Sequence, residues 1–136
     1  MSDQKDSKTH GIDKYHHFDE ANDAGGQLKS VYADWADAYD DDNDNKLGTV
    51  SQPTTVEMLT RHCSNADAVI MDVGCGTGLV GMHLNRAGVT TYEGTDISEE
   101  MMVQAKKQGY RKLLNLEPGQ PLDAIDASYD VVLCVG

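Results

Sequence analysis

The chain has 136 residues and a formal net charge of -12, from 23 acidic against 11 basic residues; that suffices for one small domain and opposes the phosphate backbones that nucleic-acid binders neutralise with Lys and Arg. A hydrophobic fraction of 39 %, a mean hydropathy of -0.52 and no apolar run near the roughly 18–20 residues of a spanning helix exclude a membrane-spanning helix and predict a soluble protein. Cys63, Cys75 and Cys134 are odd in number and lack CxxC spacing, which speaks against a disulfide framework or structural zinc; with no apolar signal core at the N-terminus, the expected location is the cytoplasm.

Residues 1–26 are polar and end in Gly25-Gly26, a composition that cannot bury enough apolar surface to offset its ordering entropy and is predicted to be a disordered leader. His10, His16 and His17 within it lack the spacing of metal ligands on a helix or hairpin. From Gln27 the pattern changes. Val31, Tyr32, Trp35, Ala38 and Tyr39 recur at three- and four-residue spacing, which predicts the apolar face of a short helix. The acidic run that follows lacks the Gly and Glu positions of a calcium loop and reads as a solvated linker. Ser51-Gln52-Pro53 then opens a second helix, running to about Cys63 with Val56, Met58 and Leu59 at helical spacing.

The next segments alternate between strand and helix. Ala68 to Val73 is predicted as a buried strand, Leu79 to Ala87 as a helix stopped by Gly88, and Thr90 to Gly94 as a second strand. Ser98 caps a helix over Glu99 to Gln108, stopped by Gly109; Lys112 to Leu116 is a third strand, and Tyr129 to Val135 a fourth, read as buried and as apolar as the first. Strands alternating with helices at this pitch predict an α/β fold with a parallel sheet.

The segment Met71 to Gly81, MDVGCGTGLVG, lies between the first strand and a helix. Gly74, Gly76 and Gly78 remove side chains where the chain must turn and a ligand can approach the backbone, and the helix start offers unpaired N–H groups. Gly76 to Gly81 also satisfies G-x-G-x-x-G, with Asp96 about twenty residues on, as in a dinucleotide site. Asp72 separates the two readings. A carboxylate at the mouth of this loop repels a pyrophosphate but suits a methionyl ammonium.

D-V-G-C-G-T-G in full, followed by G-T-D-I-S from Gly94 to Ser98, resembles the first two motifs of the class I S-adenosylmethionine (SAM)-dependent methyltransferases. Y-A-D-W-A-D-A-Y-D, Tyr32 to Asp40, resembles the segment that precedes the core in many small-molecule methyltransferases, and D-A-S-Y-D-V-V-L-C-V-G resembles their fourth-strand motif. The sequence as a whole resembles the Williams-Beuren-region methyltransferase-like proteins. The resemblance implies a Rossmann-like fold with strand order 3-2-1-4 and SAM as cofactor. It implies that Asp72 and the loop of Gly74, Cys75, Gly76 and Gly78 hold the methionyl end, that Asp96 receives the ribose hydroxyls, and that Ile97 packs on the adenine. It further implies Asn115 or Glu117 near the adenine amino group and Tyr32 and Tyr39 as cap residues.

Against the seven-stranded sheet of that family, residues 68–136 correspond to the cofactor-binding half and residues 27–63 to cap helices, so the chain is expected to be a fragment with an open fourth-strand edge suited to self-association. The competing expectations are an NAD(P)-binding oxidoreductase and a non-catalytic interaction module. No catalytic residue and no methyl acceptor is assigned from the sequence. Cys75, in the loop, and Cys134, in a strand read as buried, are expected to be inert.

Overall fold

Four short strands, β1 (Ile70–Val73), β2 (Tyr92–Asp96), β3 (Leu113–Asn115) and β4 (Val131–Cys134), pair in parallel in the order β3-β2-β1-β4. This computed structural model describes residues 29–30, 33–34, 36, 50–117, 125 and 128–135. The predicted apolar helix face with Tyr32 and Tyr39, the polar leader and most of the loop after Pro118 lie outside the described residues. Of the N-terminal segment, Lys29, Ser30, Ala33 and Asp34 are helical.

Three helices complete the described core: α1 (Ser51–His62), α2 (Leu79–Arg86) and α3 (Glu99–Ala105), the last continued by one 3-10 turn over Lys106–Gln108. Each boundary has a local chemical cause. The Ser98 hydroxyl accepts the Met101 N–H at 3.2 Å while Glu99 and Glu100 occupy the first turn of α3, which satisfies an orphan donor and complements the helix dipole. At the end of α2, Gly88 (φ +82°) lets its N–H reach the Asn85 carbonyl and the Val89 N–H reach that of Leu84, both at 3.0 Å, a Schellman closure that turns Val89 back onto the core.

Alternation along the strands divides the sheet into two faces. Ile70, Tyr92, Val131 and Leu133 share one face and pack with Val56 of α1 and Val80 and Leu84 of α2. Leu84 is fully buried, as is Ala105 on α3, which packs with Cys75 and Met102 in a second cluster. Tyr110, just before β3, connects the two clusters. Its ring meets Tyr92 edge to face, with centroids 5.0 Å apart and planes at 83°.

Two expectations are corrected. The second strand lies two residues later than its sequence pattern predicts, at Tyr92–Asp96 rather than Thr90 to Gly94, because Thr95 pairs with Val73 of β1 and Asp96 with Asn115 of β3; strand pairing overrides the loop-like character of G-T-D. Cys134 is exposed rather than buried, because the period of two puts it with Val132, 63 % exposed, on the face opposite Leu133. The order 3-2-1-4 is as expected, and β4 stands at the sheet edge among the described strands.

Packing around Tyr110 leaves no room at Gly81, where an added Cβ would lie 2.4 Å from a ring carbon of Tyr110. Gly81→Ala is therefore expected to cost about 1–3 kcal/mol through overpacking, read as a lower urea midpoint. An unchanged midpoint would show that the ring is not held there.

Candidate functional site

The C-terminal ends of β1 and β2 carry Asp72, the glycine loop, Asp96 and Ile97, with Asn115 at the end of β3. After Val73 the chain enters a loop in which Gly74, Gly76 and Gly78 all have positive φ, at +71°, +54° and +91°. The glycines serve two purposes. A Cβ at Gly74 or Gly76 would meet nothing within 4 Å, whereas at Gly78 it would lie 2.9 Å from the Ala105 backbone of α3. The first two leave bare backbone facing open space, as a cradle for a ligand does; the third allows α2 and α3 to approach.

Three hydrogen bonds fix the loop. Cys75 N–H donates to the Thr95 carbonyl at 2.8 Å, Gly78 N–H to the Cys75 carbonyl at 2.9 Å, and Gly76 N–H to Oδ2 of Asp96 at 2.8 Å. The other oxygen of Asp96 accepts the Ser98 N–H, also at 2.8 Å. A carboxylate offers about four lone-pair directions, so the half-buried Asp96 retains capacity for ligand hydroxyls beside the loop. Asn115, at the end of β3, donates through Nδ2 to the carbonyls of Asp96 (3.1 Å) and Ile97 (3.0 Å). Its amide therefore braces the turn that carries Asp96 and Ile97. Beyond β3, Glu117 forms an ion pair with Lys29 at 2.5 Å, joining the N-terminal segment to this end of the sheet.

Asp72 departs from its expected placement. It is not at the mouth of the loop but beneath it, 1 % exposed, on the same sheet face as Ile70. There its Oδ2 accepts the Tyr110 hydroxyl at 2.6 Å, and the same hydroxyl oxygen accepts the Gly81 N–H of α2 at 3.0 Å. The reason is again the period of two: a side chain in register with Gly94 and Leu133 points into the layer between sheet and helices. Tyr110 had no place in the sequence reading. Its signal was an aromatic immediately after the helix-stopping Gly109, with Gly78, Gly81 and Gly94 all lacking the Cβ that would strike it or its neighbours.

Burial pushes the Asp72 carboxyl up from 3.8 to about 6, the Tyr110 hydrogen bond offsets part of this, and the nearby Asp96 adds to it. The Cys75 thiol is pushed well above its usual range by burial and by the same two acids, so it stays protonated and inert. No group of His, Cys, Asp or Glu among the described residues is arranged to hold a metal, and none of their helices is long and apolar enough to cross a membrane. A cleft of about 340 Å³ lined by Leu59, Cys63, Ile70 and Val89 lies at the other end of β1, away from these groups.

Residues 70–136 match the family model described as a methyltransferase domain. Human methyltransferase-like protein 27 is 37 % identical over 114 residues, 81 % of this chain and 46 % of that protein. These matches support the class I SAM-dependent methyltransferase family. The ribosomal protein L11 methyltransferase of Dictyoglomus turgidum is 31 % identical over 92 residues, 64 % of this chain and 30 % of its own length. Among solved structures, a SAM-dependent methyltransferase of Thermotoga maritima superposes with a TM-score of 0.54 at 21 % identity, covering 79 % of this chain and 46 % of that one. Magnesium protoporphyrin IX methyltransferase of Synechocystis, solved with bound SAM, gives 0.52 at 20 % identity, covering 82 % and 63 %; both share the fold. The chain thus spans less than half the length of these curated relatives.

The buried Asp72 has a measurable thermodynamic signature. Its folded pKa lies above the unfolded one, so the folded state holds the proton more tightly; this stability is present below about pH 4 and lost as pH rises through about 6. The difference between 3.8 and about 6 corresponds to a cost on the order of 3 kcal/mol at neutral pH. Asn cannot ionise and still accepts from Tyr110. Relative to the parent, Asp72→Asn is expected to gain stability between pH 4 and 7 by an amount of that order in urea unfolding. A difference that does not change with pH would contradict this account of Asp72.

Proposed function

We propose that the chain binds SAM across the C-terminal ends of β1 and β2 and serves as the cofactor-binding part of a methyltransferase. In this reading the methionyl end lies on the bare backbone of the Gly74, Cys75, Gly76 and Gly78 loop, above the charge of Asp72. The ribose hydroxyls bind Asp96, and Ile97 packs on the adenine. Asn115 offers Oδ1 to the adenine amino group, and Tyr32 and Tyr39 contribute a cap.

One observation carries the proposal: a loop whose Gly74 and Gly76 present bare backbone to open space is hydrogen-bonded through Gly76 N–H to the carboxylate of Asp96. Backbone that accommodates an extended ligand and an acid that accepts vicinal hydroxyls are thereby held next to each other, with a second acid beneath the loop. Two carboxylates around one loop oppose a pyrophosphate and favour a ligand with a cationic amino acid end. The bound SAM of the Synechocystis enzyme supports the same choice.

The cofactor supplies an electrophilic methyl group on a sulfonium. The residues of this chain bind and orient it, and most of the rate gain in such a transfer comes from holding donor and acceptor in line at attack distance. The acceptor is read as a small molecule or a protein rather than nucleic acid, given the net charge of -12.

Calorimetry on the 136-residue chain tests the proposal. SAM and S-adenosylhomocysteine should bind and NAD should not. Asp96→Ala should weaken S-adenosylhomocysteine by roughly tenfold or more, the loss expected for hydrogen bonds to a charged group. Binding of NAD with silence toward both SAM compounds would sink the assignment.

A further inference from the structure

The residue least explained by the fold is Asp72, a carboxylate 1 % exposed in the middle of the sheet. An apolar residue there would cost nothing in desolvation. Among the described residues the groups facing it are Tyr110 from the segment before β3, Cys75 from the loop and Asp96 from the end of β2. From α2 it is reached through Tyr110 alone, whose hydroxyl also takes the Gly81 N–H. In register on either side stand Gly94 and Leu133, neither of which can ionise. No cation among these groups offsets the charge. The hydroxyl of Tyr110, 2.6 Å from Oδ2, is the group that stabilises the ionised form from within the protein.

We propose that Tyr110 is a positioning residue of the cofactor site, bridging Asp72 to the first turn of α2 so that a negative charge is held beneath the glycine loop to attract the ammonium of the methionyl end. The proposal rests on the SAM reading above. The geometry is suited to this. Gly74 and Gly76 put no side chain between that charge and a ligand above them, and in a partly desolvated site a charge acts across such a thin layer. The ring cannot easily drift, being fixed by Tyr92 on one side and by the crowding at Gly81 and Gly94 on the others. Phe at this position keeps the ring and removes both hydrogen bonds of the hydroxyl. The ionised form of Asp72 then loses its donor, and its protonation moves to higher pH.

The test compares two probes across pH 5 to 8 by calorimetry on the full chain: S-adenosylhomocysteine, which has the amino acid end, and 5′-methylthioadenosine, which lacks it. In the parent, affinity for S-adenosylhomocysteine should fall as pH drops through about 6, while that for methylthioadenosine stays level. Tyr110→Phe should weaken S-adenosylhomocysteine roughly tenfold at pH 7, move its pH midpoint upward and leave methylthioadenosine within about twofold. A merely structural tyrosine would weaken both probes alike and leave the midpoint where it is, and that result overturns the proposal. Asp72→Asn gives a second test should the Phe variant fail to fold: it should bind S-adenosylhomocysteine weakly with no fall through pH 6, and a parent-like profile overturns the role of the pair. Failure of the parent to bind either probe would instead remove the SAM reading itself, and the role of Tyr110 with it.

Discussion

A buried hydrogen bond, from the Tyr110 hydroxyl to the Asp72 carboxylate, is the contact on which the site depends. It ties the end of β1 to the segment before β3, and through the Gly81 N–H it also ties both to the start of α2. The same ring bridges the two apolar clusters. Burying the acid is costly. Desolvation of Asp72 works against the folded state at neutral pH, and polar groups kept inside a domain at such expense are best understood through what they do for a ligand. The glycine loop lies directly after this acid in the chain, so the position of the loop and of the charge beneath it are set together.

From that anchor the division of labour among the glycines follows. Gly74 and Gly76 hold positive φ and face open space, while Gly78, Gly81 and Gly94 admit neighbouring atoms that a Cβ would displace. The G-x-G-x-x-G pattern therefore combines two requirements, ligand access and close packing, which are independent in three dimensions. Asp96 joins the two ends of the site, one oxygen on the loop and the other on the cap of α3. A ligand that engages Asp96 is thereby coupled to both helices that follow β1 and β2.

The alternation of strands and helices and the loop were legible in the sequence because both depend on local signals: apolar runs for strands in a parallel sheet, glycine and Ser caps for the helix ends; the strand order followed from the family resemblance. What was not legible depends on partners distant in the chain. The end of β2 at Asp96 is set by pairing with Val73 and Asn115, and Cys134 is exposed because of the phase of β4 against β1. Asp72 was expected at the mouth of the loop, but its direction comes from the same pleat, which turns it below the loop. Tyr110 was missed because an aromatic outside any motif acquires meaning only when Gly78, Gly81 and Gly94 are brought around it. Asn115, expected with Glu117 as the alternative near the adenine amino group, braces Asp96 and Ile97.

These features lie together at the C-terminal ends of β1 and β2. The most direct measurement is an amide NMR titration of the chain with S-adenosylhomocysteine. The account predicts that the signals of Gly74, Gly76, Asp96 and Ile97 move with saturable dependence on ligand, while those of Gly88 and Asp130, at the opposite end of the strands, stay in place. Movement confined to that opposite end, or none at the glycine loop while ligand binds, would contradict it.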